Sequence, residues 1–122
     1  MAGTVMVVED DVCVRELVME ILGAGGFTAV GARNGQEALQ HLRQGLIQPA
    51  LILLDLMMPV MDGRQFRAEQ LEDPRLARIP VVVMSASDDG EVRAEGRVAK
   101  PFELQALLDV VSRLAPGGAT VH

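Results

Sequence analysis

Glu9 and Asp10 follow one apolar run, Asp55 ends a second, Ser85 closes a third, and Lys100 stands just before Pro101. Three carboxylates, a hydroxyl and an ammonium are the parts that phosphoryl transfer uses, because its catalysis is mostly positioning and charge stabilisation. A carboxylate can itself be the nucleophile and form an acyl phosphate. Carboxylates crowded together repel and raise one another's pKa, so Glu9, Asp10 and Asp55 on one edge need a cation. Hard oxygen donors with room for water suit Mg²⁺ in octahedral geometry. Asp55 stands out among the three. It ends the run Leu51-Ile52-Leu53-Leu54, which reads as a strand buried on both faces. Burying its charge without a partner would cost several kcal/mol, and ligands of open α/β sheets bind at this carboxyl edge.

The elements that must position these groups alternate along the chain. Strand-like runs cover Thr4–Val8, Thr28–Ala32, Ala50–Asp55, Val81–Ser85 and a short Arg97–Ala99. Helical periodicity places Val14, Leu17, Val18, Ile21 and Leu22 on one inward face, ending at Gly23 to Gly26. Asn34 with Glu37 reads as a capping box for a helix through Leu39 and Leu42 that ends near Gly45. Asp62 reads as the cap of a helix carrying Phe66 and Leu71, broken at Asp73-Pro74. A last helix from about Glu103 to Leu114 carries Leu104, Leu107, Leu108, Val111 and Leu114 inward. Strand and helix in alternation predict an α/β fold, a doubly wound, five-stranded parallel sheet with helices on both faces. The flavodoxin-like order 2-1-3-4-5 is one common solution, and it brings every strand's carboxyl end to the same edge.

Composition narrows what such an edge could serve. The 122 residues make one domain, with its core at about 4–115 and a tail at 116–122. The chain is 49% hydrophobic with three Phe and no Trp or Tyr, so the core is aliphatic and stacking platforms for single-stranded nucleic acid are lacking. A net charge of −6 argues against direct binding to nucleic acid or an anionic membrane. No apolar stretch approaches the roughly 20 residues of a membrane span, and no signal peptide opens the chain. One cysteine, Cys13, reads as a small buried apolar residue near a helix start and fits a reducing cytoplasm. His41 and His122 read as surface residues.

Five spaced elements, VVEDD, LLDLMMPVMDG, PVVVMSA, AKPF and the terminal amphipathic helix, resemble the receiver domain of two-component response regulators, the CheY-like superfamily. The resemblance spans nearly the whole chain. It implies that Asp55 accepts a phosphoryl group from a phosphohistidine on a sensor histidine kinase or a histidine phosphotransfer protein. Asp10, Asp55 and the Met57 backbone carbonyl would hold Mg²⁺ or Mn²⁺, with Glu9 acting through water. Ser85 would be the switch hydroxyl, and Lys100 with the Ala86 backbone would bind phosphoryl oxygens. Lys100-Pro101 would be a cis peptide, which proline permits. Met57 and Ser87 would flank the approach of the hydrolytic water and tune the phosphoryl lifetime. Such a domain is a switch for a downstream protein partner and not an enzyme on other substrates.

Two departures from the family follow. Ser85 and Lys100 lie fifteen positions apart, roughly two helical turns fewer than the receiver pattern. The interval is polar, with Val92 its one large apolar residue, too little apolar surface for a stable amphipathic helix. The fourth helix, between the fourth and fifth strands, is therefore expected to be shortened or absent. Arg97 stands where the family carries Tyr or Phe. It reads either as an edge-strand side chain in solvent or as an Arg that swings toward the phosphorylated site or a partner carboxylate.

Competing classes have discriminating features. A non-phosphorylated, receiver-like interaction domain would keep the fold while lacking the chemistry. A metal-dependent phosphohydrolase with an Asp nucleophile would place a second Asp at position 57, where this chain has Met57. A flavin module would need a glycine- and hydroxyl-rich phosphate loop where Glu9-Asp10-Asp11 stands.

Overall fold

The computed structural model describes residues 3–86, 90 and 92–115. Its elements are β1 (Thr4–Val8), α1 (Val12–Ala24), β2 (Thr28–Ala32), α2 (Gly35–Gln44), β3 (Leu51–Asp55), α3 (Gly63–Glu72), β4 (Val81–Ser85), β5 (Gly96–Ala99) and α4 (Leu104–Leu114). All strand pairs are parallel, in the order β2-β1-β3-β4-β5. Central β1, β3 and β4 read as continuous apolar runs because both of their faces are covered. Val5, Val7, Leu51, Leu53, Val82 and Met84 pack with α1 and α4, whereas Met6, Val8, Ile52, Leu54, Val81 and Val83 pack with α2 and α3.

Helix starts follow their caps. Asp11 caps α1, its Oδ1 accepting from the amides of Cys13 and Val14 at 2.9 and 3.1 Å. Asp62 and Gln65 form a reciprocal capping box on α3. At α2 the expected box is half made. Asn34 accepts from the Glu37 amide at 2.9 Å, but the Glu37 carboxylate turns outward to the Arg33 amide and guanidinium. An opposite charge within reach outcompetes the neutral amide of the cap residue.

Several inward assignments differ from the pattern. Leu17, Leu71 and Leu104 are exposed, because helical periodicity does not say where a helix overruns the sheet that covers it. Cys13 is exposed rather than buried, since it lies with exposed Leu17 off the face of α1 that Val14, Val18 and Ile21 pack on the core. His41 is half-buried on α2. Between β4 and β5 the described residues 86, 90 and 92–95 form no helix, in line with the shortened fourth helix. Residues 87–89, 91 and 116–122 lie outside the described residues, and with them Ser87, His122 and the expected tail.

What covers the sheet in place of a helix is a polar clip. Arg67 of α3 is 5% exposed. It donates to the Arg93 carbonyl and the Gln70 side chain, each at 2.8 Å, and pairs with Glu95 at 3.4 Å. Glu95 also accepts from the Val81 amide at 2.7 Å. Gln70, fully buried, donates to the carbonyls of Leu76 and Ile79. Val92 fills the remaining apolar gap.

Candidate functional site

The strand order delivers Glu9, Asp55, Ser85 and Lys100 to one edge, and the loops after β1 and β3 shape it. Glu9 and Asp55 are 1% and 4% exposed, so these carboxylates are set into the edge rather than standing in solvent; Asp10 is exposed. Glu9, Asp10 and Asp55 can each offer an oxygen within 4.8 Å of the others. That donor set, three hard anionic oxygens with an open side at Asp10, fits Mg²⁺ better than a softer metal.

Lys100 is the counter-charge within the cluster. Its Nζ bonds Glu9 Oε1 closely and lies 3.5 Å from Asp55 Oδ2. Burial opposes the Lys100 ammonium, but the hydrogen bond it donates to Glu9 and the charges of Asp55 and Glu9 prevail and raise its pKa. Burial lifts the Glu9 carboxyl above the ordinary carboxylate value, with Asp55 adding to the rise and Lys100 and the Asp11 amide opposing it. Asp10 is raised as well, by desolvation first and then by Glu9. Such a cluster concentrates negative charge that Lys100 offsets in part and that a divalent cation would offset further.

Local sequence explains the position of Asp55. Past Leu56 the chain turns through Pro59 and Val60, and the Gly63 amide returns to donate to the Leu56 carbonyl at 3.1 Å. A Cβ on Gly63 would lie 2.5 Å from the Asp55 carbonyl oxygen, so only glycine lets α3 start this close to the strand end. The Gly35 amide donates to the Met61 carbonyl at 3.0 Å and ties the same loop to α2. The Met57 amide lies 3.3 Å from Asp55 Oδ1, and its side chain is exposed at the site's mouth.

The other expected residues are placed as follows. Ser85 is buried at the end of β4, its carbonyl accepting from the Lys100 amide at 3.1 Å. Ala86 is exposed beside Lys100, and the Lys100-Pro101 bond is cis. Arg97 is exposed on β5 and donates to the carbonyls of Val92 and Gly90, bracing the β4–β5 connection. An open cleft of about 400 Å³ adjoins Lys100, lined by Val14, Leu17, Ala86, Pro101 and Phe102.

Two supporting residues escaped the sequence pattern. Asp11, whose amide donates to Glu9 Oε2 at 3.2 Å, stands just past the acidic pair and gave no sign in the sequence of bracing Glu9. Arg15, which donates to the Glu9 carbonyl at 2.7 Å, had no sequence signal at all.

Comparison with known proteins identifies the family of the fold. Residues 5–112 match the response regulator receiver domain. DivK, a polar-differentiation response regulator of Brucella anthropi, is 29% identical over 118 residues, covering 91% of this chain and 94% of DivK. PhoB, the phosphate regulon transcriptional regulatory protein of Escherichia coli, is 35% identical over 93% of this chain, which spans only 53% of PhoB. The signal receiver domain of a histidine kinase from Syntrophus aciditrophicus superposes with a TM-score of 0.86 at 31% identity, over 99% of this chain and 96% of that one.

Proposed function

The chain belongs to the response regulator receiver domain family, and from that premise we propose that Asp55 accepts a phosphoryl group and so switches the domain's protein contacts. A carboxylate oxygen of Asp55 forms the new P–O bond as the P–N bond of a donor phosphohistidine breaks, and the departing imidazole nitrogen keeps the electron pair. Glu9, Asp10, Asp55 and the Met57 carbonyl would hold Mg²⁺ or Mn²⁺, which offsets charge on the phosphoryl oxygens. Lys100 exchanges part of its contact with Glu9 for a phosphoryl oxygen, and the Ser85 hydroxyl and Ala86 amide donate to others. Met57, exposed at the mouth of the site, would hinder a hydrolytic water; Ser87, its expected partner there, lies outside the described residues.

One observation carries this reading: a single Lys Nζ lies between Glu9 and Asp55 inside a cluster of three carboxylates. The family makes a histidine kinase or phosphotransfer protein the donor. The apolar cleft beside Lys100 is a suitable seat for that donor's helix, and the target is a downstream protein. Among the described residues no helix is long and apolar enough to cross a membrane, and we place the domain in the cytoplasm. Titration with Mg²⁺ and beryllofluoride, followed by backbone NMR, tests the reading. Shifts at Asp10, Ser85 and Lys100 that vanish in Asp55→Asn are expected; an unchanged spectrum would overturn it.

A non-phosphorylated interaction domain is a second reading. It is favoured by Arg97, which occupies the aromatic switch position and is already engaged with Val92 and Gly90. The same titration separates the two.

A further inference from the structure

We infer that Arg15 is a positioning residue for the cation site, acting through the Glu9–Asp10 peptide; this rests on the phosphoacceptor reading above. The Glu9 amide donates to the Ala32 carbonyl at 3.0 Å, and the Glu9 carbonyl accepts from Arg15 Nη1 at 2.7 Å. Glu9 is thereby gripped on both sides of its backbone, while its carboxylate is held by Lys100 and the Asp11 amide. The carbonyl that Arg15 grips belongs to the peptide joining Glu9 to Asp10. Its plane sets where the chain leaves β1 and where the Asp10 carboxylate starts. Downstream, Asp11 is fixed by capping α1. Asp10 is thus suspended between two anchors, one of which is Arg15.

The anchor is itself rigid. Arg15 is half-buried and lies across β2 at Gly31. A Cβ on Gly31 would fall 3.0 Å from Arg15 Cδ and 3.4 Å from its Nε, and 3.2 Å from Met19 Sδ. Glycine at position 31 leaves the channel that the Arg15 side chain occupies. A guanidinium held in such a channel loses little freedom when it donates, and a charged donor makes the stronger hydrogen bond. Residues that orient metal ligands without touching the metal typically control affinity by 10- to 100-fold.

The test measures Mg²⁺ affinity by NMR titration in the absence of any phosphodonor. Arg15→Met is expected to weaken binding by about tenfold. Gly31→Val keeps the charge but fills the channel, and is expected to weaken binding as well. Melting curves and dispersed NMR spectra check that both variants fold; if Arg15→Met does not, Gly31→Val carries the test. Arg15→Met within twofold of the wild type would overturn the proposal. So would a weak Arg15→Met beside an unaffected Gly31→Val, since the channel at Gly31 would then not be what holds the guanidinium in place. A wild type that binds no Mg²⁺ would overturn this proposal and the phosphoacceptor reading together, whereas either variant result alone leaves that reading standing.

Discussion

At the scale of single residues, the site is a concentration of charge that the fold tolerates for a purpose. Glu9 and Asp10 both have raised pKa values. A carboxyl with a raised folded pKa binds more protons folded than unfolded between the ordinary value, 4.5 for Glu9, and its raised value. Stability from these two groups therefore falls as pH rises through that window. Glu37, lowered chiefly by the Arg33 amide, works below the window: its contribution is present above 4.5 and is lost as pH falls through its folded pKa. Melting in a chelator should show stability rising from neutral pH toward the ordinary carboxylate range, with a smaller rise in Glu9→Gln. A flat profile would contradict the pairing described. Val60 is a second strained point, with φ at 69° and the side chain 73% exposed. That conformation costs a β-branched L-residue roughly 1–2 kcal/mol, and solvent exposure offers little burial in return. Val60→Gly should stabilise the protein by about 0.5–1 kcal/mol in urea unfolding, after allowing for glycine's greater freedom in the unfolded chain. A loss of stability would mean that the turn is not strained.

At the scale of elements, the β4–β5 connection separates this chain from an ordinary receiver pattern. Its polarity between Ser85 and Lys100 was enough to predict a shortened or absent helix, because a helix without an apolar face has nothing to bury. What replaces the helix was not legible. Arg67 and Gln70 look like the solvent face of α3, and only the tertiary structure reveals that this face meets the segment before β5. Arg67→Met would leave the Arg93 carbonyl and the Gln70 amide oxygen short of a charged donor. A loss of about 2–3 kcal/mol is expected, with faster hydrogen exchange at the amides of residues 93–95. Unchanged stability and exchange would show the clip to be ornamental. The same limit applies to Leu17, Leu71 and Leu104: periodicity finds a helix face, but the reach of the neighbouring sheet decides which of its residues are covered.

At the scale of the whole molecule, the strands and the polar residues that end them were legible for one physical reason, whereas the order 2-1-3-4-5 was one common solution that the structure selects. A parallel sheet buried on both faces writes its strands as continuous apolar runs, and the polar residue that ends each run falls on a common edge. Asp55, Glu9, Ser85 and Lys100 could therefore be gathered before any coordinates. Arg15, Gly31 and the braces on Asp10 could not, since their contacts link β1, β2 and α1 through side-chain shape. The resulting molecule joins a parallel sheet, an edge where three carboxylates and one lysine converge, and a β4–β5 connection fastened to α3 by Arg67 and braced by Arg97. Phosphorylation of Asp55 is read out by intact mass after incubation with Mg²⁺ and acetyl phosphate. A gain of one phosphoryl group that requires Mg²⁺ and disappears in Asp55→Ala is expected. No gain in the wild type, or an equal gain in Asp55→Ala, would contradict it.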